Sequence, residues 1–445
     1  MDDENQDSRE ISRRGFIRQA SSTSIGLLSA GVAVQGLSGC DLFSDDPPGN
    51  DGEEKIVRAR AEGGDFVAGG ERLFPHGFNY IELRRREDGV LRHDTFNPGR
   101  PYSSQEAEEA LSRMADSGFN IARVFIDQSA GPGVAAEEPT ETRRLDAAYM
   151  ENVFDFLELA RSYGIYVLPT FPYIAESYDV DYRIVPDGVG GANQLQLSQG
   201  HIDAKGRYLA DFAQAIKNHN PELLPVIFAY ELENETNLKV DKPPFSLDEG
   251  TVTPANGTAY DVSSDQELAN LRDESINYWA NALAGAIREI DPEAMVSVDV
   301  FTYEAVDRSG PLDFASGAEQ DPRIPARPLT LLDSELDYVD IHMYPNDMSD
   351  VDEDLGSIEF PEVQAKSEAE GMPLFLGEFG VHKQDYSVSD GADFMVRFWD
   401  RLADEGFDGF AYWTYKGDKQ IHLWTADAGN WEIFRALAKE ASRPQ

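Results

Sequence analysis

The chain has a single cysteine, Cys40. No disulfide can form within it, so the fold must rest on its core. Basic residues are also scarce. Lysine and arginine number 38 against 82 aspartates and glutamates, a formal net charge of -44, and only 10 of the 38 are lysines. Such a surface repels nucleic acid and anionic membranes. Beyond the first 40 residues no long apolar run occurs, so nothing downstream reads as a transmembrane span. Metal-binding patterns are missing too. Asp350, Asp352 and Asp354 open like a calcium loop, but Leu355 stands where the glycine belongs and Pro361 where the final glutamate belongs. Asp347 to Glu359 therefore reads as an acidic surface loop. Neither metal nor cofactor is expected.

The acid excess runs the whole length of the chain. It suits either a cationic partner or a solvated surface adapted to high salt, and the second reading is favoured. At ~0.01 M ionic strength charges interact over about 30 Å, and at ~1 M over about 3 Å. Unscreened repulsion works against the compact state, whose net stability is only ~5–15 kcal/mol. The expected result is a melting temperature that rises steeply from dilute buffer to molar KCl. Thermal melts across that range test it. A flat or falling curve would favour the cationic partner.

Residues 1–40 are set aside as a leader. Ser12-Arg13-Arg14-Gly15-Phe16-Ile17-Arg18 resembles a twin-arginine export signal. A weakly apolar stretch follows from Ile25 to Leu37. Leu37-Ser38-Gly39-Cys40 then resembles a lipoprotein processing site, in which the cysteine takes the lipid. The protein is thus expected to be exported through the twin-arginine pathway and to be either held at the cell surface, touching the membrane only through a lipid on Cys40, or extracellular. Residues 41–60, acidic and holding Pro47, Pro48, Gly49 and Gly52, read as a flexible tether.

Residues 61–445 read as one catalytic domain. Apolar residues make up 41% of the chain, enough for a large core. Eight short apolar runs alternate with helical stretches: Leu73 to Tyr80, Asn120 to Ile126, Ile165 to Phe171, Val226 to Leu232, Met295 to Phe301, Tyr338 to Met343, Pro373 to Leu376 and Gly409 to Thr414. They lack strict alternation, as strands buried on both faces do. Met150, Val153, Phe154 and Leu157 have helical spacing, as do Ile276, Trp279, Leu283 and Ile287. Ser103 with Glu106 reads as a capping box. Eight such units in one chain predict a single α/β domain, a closed (β/α)8 TIM barrel. The fifth connection, Thr302 to Pro328, is the least regular. With Ile174 to Gly200 and Lys239 to Ser264 it could wall a cleft. A monomer is expected.

Barrel chemistry sits at the C-terminal ends of the strands. The fourth run ends in Glu231-Leu232-Glu233-Asn234-Glu235-Thr236, and the seventh leads into Gly377-Glu378-Phe379-Gly380. Two carboxylates facing one cleft are what retaining glycoside hydrolysis needs. Glu231 and Glu233 share strand parity with Glu235 and compete for its role. Glu235 is preferred because it comes last and follows asparagine.

Here the chain resembles glycoside hydrolase family five, the cellulase and β-mannanase family. The resemblance covers roughly Phe66 to the C-terminus. Tyr230-Glu231-Leu232-Glu233-Asn234-Glu235 is similar to the acid/base segment of the mannanase branch. Leu376-Gly377-Glu378-Phe379-Gly380 is similar to the nucleophile strand. The resemblance makes Glu235 the acid/base and Glu378 the nucleophile. It also makes Asn234 a contact of the sugar 2-hydroxyl and Arg123 a support for the nucleophile. His342 and Tyr344, from Asp340-Ile341-His342-Met343-Tyr344, become a sugar-site histidine and a hydrogen-bond donor to the nucleophile. Trp413 becomes a stacking floor. A strand-end glutamate in so acidic a chain is by itself ordinary. The reading rests on matches in strand order two, four, six, seven and eight. Two positions depart: Thr236 stands where the family usually has proline, and Phe171-Pro172-Tyr173 where many cellulases carry a histidine. The implied activity is endo-acting retaining hydrolysis of a β-1,4-linked polysaccharide, with mannan preferred over glucan. An exo-acting enzyme on the same barrel is the nearest alternative, and a non-catalytic carbohydrate-binding lipoprotein the next.

Overall fold

Each of the eight apolar runs overlaps one parallel strand. The strands are β1 (His76–Asn79), β2 (Ile121–Phe125), β3 (Tyr166–Thr170), β4 (Tyr230–Glu231), β5 (Val296–Phe301), β6 (Tyr338–His342), β7 (Leu374–Phe379) and β8 (Phe407–Tyr412). They close into one barrel, β8 pairing with β1 through Phe410, Ala411 and Tyr412 against His76, Gly77 and Phe78. The computed structural model describes residues 56–85, 91–99, 102–131, 133–140, 143–181, 185–417 and 422–441. The expected export signal, Cys40 and most of the tether lie outside these residues. Among the described residues, no helix is long and apolar enough to cross a membrane.

The connecting helices are α1 (Ser104–Asp116), α2 (Ala147–Ser162), α3 (Gln199–His219), α4 (Asp265–Arg288), α5 (Pro328–Leu331), α6 (Phe360–Glu370), α7 (Val388–Asp404) and α8 (Ala428–Ala441). Met150, Val153, Phe154 and Leu157 are buried along α2, and Ile276, Trp279, Leu283 and Ile287 along α4. Their helical spacing puts one apolar stripe against the barrel. Ser103 caps α1, its Oγ accepting from Glu106 N at 3.2 Å.

Strands β2, β3, β5, β6 and β7 are buried at every residue. That is why their sequences run apolar on both faces. The barrel interior is layered. Phe66 plugs the N-terminal end, its ring 5.1 Å from Phe228 and 5.2 Å from Tyr338. Above this apolar plug the inward side chains become charged: Arg123, Glu231, Asp299 and Asp340, all buried.

Two expectations need correction. The tether does not reach residue 60. Arg58 pairs with Asp291 at 3.0 Å, and strand Ala59–Glu62 is the first of a three-stranded cap that carries Phe66. Asp347 to Glu359 is not a loop. Met348–Ser357 is a helix capped by the Asp347 side chain, and Asp354 is buried, accepting from Thr302 Oγ1 at 2.5 Å. The irregular fifth connection is firmly held. Arg308, 1% exposed, donates to the carbonyls of Arg323, Asp313 and Asp321 at 3.0, 2.9 and 3.2 Å. Pairing of Asn237–Lys239 with Arg323–Pro325 ties it to the fourth connection.

Candidate active site

Arg123 projects from the middle of β2 into the barrel axis and is fully buried. A buried guanidinium needs acceptors for a planar fork of donors. It has five. Nε donates to Glu231 at 2.6 Å, Nη1 to Asn79 at 2.8 Å and Glu378 at 2.6 Å, and Nη2 to Asn234 at 3.0 Å and Asp299 at 2.7 Å. Strands β1, β2, β4, β5 and β7 thus meet at one cation. The acids around it outnumber it. Burial and then the neighbouring Glu231 push Asp299 and Asp340 well above the usual carboxylate range. Burial also works against the charge on Glu231, but Arg123, the Thr170 hydroxyl and the other neighbours together outweigh it and hold Glu231 below its ordinary value. Glu231 Oε1 and Asp340 Oδ2 are both buried without a hydrogen-bond partner.

Glu378 lies within β7, two residues beyond the run read from sequence. Its Oε1 accepts from Arg123 and its Oε2 from the Tyr344 hydroxyl at 2.7 Å. Gly377 makes this possible. A Cβ there would sit 2.0 Å from Asp340 Oδ2. The Gly377 N–H donates to Asp340 Oδ1 at 2.6 Å, and its carbonyl accepts from Asn79 at 2.8 Å. The β7–β8 register shifts on either side of Leu376. Such irregularities re-aim side chains beside functional sites.

The three glutamates of the fourth run part ways. Regular pairing ends at Glu231, so alternation does not continue through Glu235. Glu231 stays on the axis with Arg123. Glu233 turns to the buried Lys205, 2.6 Å away, and its other oxygen accepts from Tyr173 N at 2.6 Å. Glu235 adopts a left-handed backbone, φ +52, an uncommon conformation for a residue with a Cβ. Its N–H donates to Asp299 Oδ1. Thr236 N donates to Asp299 O at 2.9 Å, a bond that the proline usual at this place cannot make.

These turns bring Glu235 across the barrel mouth to Glu378. One acceptor atom each from Glu235, His342 and Glu378 lie within 4.8 Å of one another, and all three residues are buried. His342 Nδ1 stands 3.9 Å from Glu235 Oε1 and 3.7 Å from Glu378 Oε2. Both are too long for hydrogen bonds. The same three side chains could approach a cation, but Glu378 already accepts one hydrogen bond on each oxygen and Glu235 Oε2 accepts from Arg323 at 3.0 Å. Trp413, 6% exposed, packs edge-on to Phe125 with centroids 5.7 Å apart. The Trp413 indole N–H and both His342 ring nitrogens are buried without a protein partner. Buried polar atoms are normally satisfied, so these are groups available to a hydroxyl-rich molecule.

The structure therefore brings together Glu235, Glu378, Asn234, Arg123, His342, Tyr344 and Trp413. Sequence reasoning missed Asn79, Asp299, Asp340 and Arg323. Asp340 stood inside a quoted segment, and the other three carried no motif. On the Glu235 carboxyl, burial raises the pKa, but the His342 ring and the Arg323 guanidinium outweigh it and hold the group below its ordinary value.

The profile of the family described as Cellulase (glycosyl hydrolase family 5) matches residues 88–419. No curated protein matches by sequence. Among solved structures, the endo-1,4-β-mannanase of Rhizomucor miehei is 13% identical with a TM-score of 0.60, covering 86% of this chain and 99% of that one. The endo-β-1,4-mannanase of Thermotoga petrophila is 15% identical with a TM-score of 0.53, covering 84% and 77%. The exo-β-1,4-mannosidase Op5Man5 of Opitutaceae bacterium strain TAV5 is 16% identical with a TM-score of 0.51, covering 86% and 62%. These likenesses concern the fold. The family match spans most of the chain, and it covers both facing glutamates and the arginine between the strands, so this chain belongs to glycosyl hydrolase family 5 and is a glycoside hydrolase.

Proposed function

We propose that the protein is a retaining endo-β-glycosidase that hydrolyses β-1,4-mannan by double displacement. The observation that carries the reading is the pair Glu235 and Glu378, one carboxylate oxygen of each lying within 4.8 Å of the other. That fits the spacing of about 5–5.5 Å typical of retaining enzymes and not the ~6.5–9.5 Å that leaves room for an inverting water. In the first step the Glu378 carboxylate attacks the anomeric carbon as the glycosidic C–O bond breaks. Glu235 gives its proton to the departing oxygen. In the second step water attacks the same carbon, Glu235 takes the proton from water, and Glu378 leaves. Arg123 and Tyr344 hold the two Glu378 oxygens in place. The mannan preference is supported by the mannanases and mannosidase that share the fold.

Glu235→Ala is expected to separate the two steps. An aryl β-mannoside with a good leaving group needs no proton, so glycosylation survives and deglycosylation slows. Mannan hydrolysis should fall by about 100-fold or more. Added azide should restore aryl glycoside turnover and yield the β-mannosyl azide. Equal loss on both substrates without azide rescue would remove Glu235 from the role. Product analysis on mannan separates endo from exo action, since oligosaccharides of mixed length mark the first and mannose alone the second.

A further inference from the structure

The Glu235 carboxyl contacts a cation that belongs to no strand motif. Arg323 Nη1 donates to Glu235 Oε2 at 3.0 Å. Asp321 takes the rest of the fork. Its oxygens lie 3.0 and 3.1 Å from Nε and 2.8 Å from Nη2. The guanidinium lies over the Phe301 ring, 4.6 Å from its centroid. Arg323 is 2% exposed, and its backbone is fixed by Arg308 and by pairing with Lys239. Such a group is committed to Glu235 and Asp321. It is not placed as a substrate contact.

The consequence concerns the proton. A general acid must carry its proton on the oxygen facing the leaving group. Arginine does not deprotonate, so it can only donate. With Arg323 on Oε2, the proton of Glu235 belongs on Oε1, the oxygen turned toward His342, whose ring also faces Glu378. The same positive charge favours loss of that proton. We propose that Arg323, held by Asp321, is a positioning residue that selects the proton-bearing oxygen of Glu235 and sets the upper pH limit of hydrolysis. The inference rests on Glu235 being the acid/base.

The other charged and titratable groups around Glu235 are accounted for. Asp299 on β5 accepts from its N–H, and Glu378 faces it from β7. From the β6 end come His342 and Tyr344, whose phenol is raised by burial, then by Glu378, and also by Glu235. Lys239, across the hairpin, is pushed down to about 8 by burial and then by Arg323. Glu233 is tied to Lys205. Asp321 lies behind Arg323 and lessens its pull.

Opposite shifts from two substitutions test the proposal. In Arg323→Gln the amide can still donate to Oε2 but the charge is gone. The alkaline limb of kcat/KM on soluble β-1,4-mannan should move up by about 1–2 pH units, the size expected for one opposite charge in contact. In Asp321→Asn the arginine loses its counter-charge, so the limb should move down. Arg323→Lys keeps the charge but not the fork. Its limb should stay within about half a unit of wild type while kcat falls. A purely structural arginine would lower rates in all three without moving the limb in opposite directions. Limbs that stay at the wild-type pH, or move the same way in Arg323→Gln and Asp321→Asn, overturn the proposal. If the limbs fail to move while Glu235→Ala is still rescued by azide, only the role of Arg323 falls. If azide rescue fails, the acid/base assignment fails and takes the proposal with it.

Discussion

Glu378→Ala is expected to lower turnover on soluble mannan by about four powers of ten or more, because it removes the covalent route altogether. The variant should nevertheless fold. Arg123 loses one acceptor but keeps the carboxylates of Glu231 at 2.6 Å and Asp299 at 2.7 Å, so its charge stays compensated. The site holds more buried acids than cations. Deleting Glu378 relieves repulsion on Asp299, which is pushed up by burial and in part by neighbouring carboxylates that include Glu378. The melting temperature of Glu378→Ala should therefore equal or exceed that of the parent, a trade of stability for activity common at reactive sites. Initial rates on mannan, calorimetric binding of a manno-oligosaccharide and a thermal melt test this together. Near-normal turnover in the folded variant would remove Glu378 from the nucleophile role. Lost binding together with a lower melting temperature would mean that it is structural.

Much of this was legible beforehand, for reasons that differ by residue. The barrel strands read directly because both of their faces are buried, which leaves apolar runs such as Val296 to Phe301 with no competing pattern. Their ends were less clear. The apolar run Pro373 to Leu376 stops where the composition changes at Gly377 and Glu378, yet the strand continues to Phe379, the glycine admitting Asp340 and the glutamate facing the mouth. The choice among Glu231, Glu233 and Glu235 could not be made from period two. The regular strand ends at Glu231, and the left-handed turn at Glu235 has no sequence mark. Arg323 was hidden for another reason. It stands in a segment rich in Pro, Gly and Asp, and its partners Glu235 and Phe301 are 88 and 22 positions away. Only the hairpin with Asn237–Lys239 brings it back to the fourth connection. The helix over Met348–Ser357 was overlooked because an acidic composition masked its Asp347 cap.

The largest effect on stability should come from Arg123→Met. Methionine is shorter but of roughly similar bulk, so the change removes charge and donors more than volume. Five acceptors lose their donor at once: Glu231, Asn79, Glu378, Asn234 and Asp299. Removing one partner of a buried ion pair typically costs ~3–5 kcal/mol, against a total stability of ~5–15 kcal/mol. Near neutral pH the variant should therefore be largely unfolded or melt at least about 10 °C lower. The pH dependence gives the sign. In the parent, Arg123 and the Thr170 hydroxyl hold Glu231 below its ordinary value, so Glu231 adds stability above pH ~4 that is lost as the pH falls through its depressed pKa. Without the guanidinium, burial and like charges are opposed mainly by the Thr170 hydroxyl, so Glu231 is expected to rise as Asp299 and Asp340 do. A raised carboxyl adds stability below its unfolded value of ~4, lost as the pH climbs through the folded value. The variant should thus be relatively most stable near pH 4–5 and lose stability toward pH 8 more steeply than the parent. Arg123→Lys should fall between the two, since one ammonium with three donors cannot serve five acceptors. Melting curves at several pH values in high salt measure this. A methionine variant within ~1 kcal/mol of the parent, with a parallel pH profile, would show that the acids inside the barrel do not depend on Arg123.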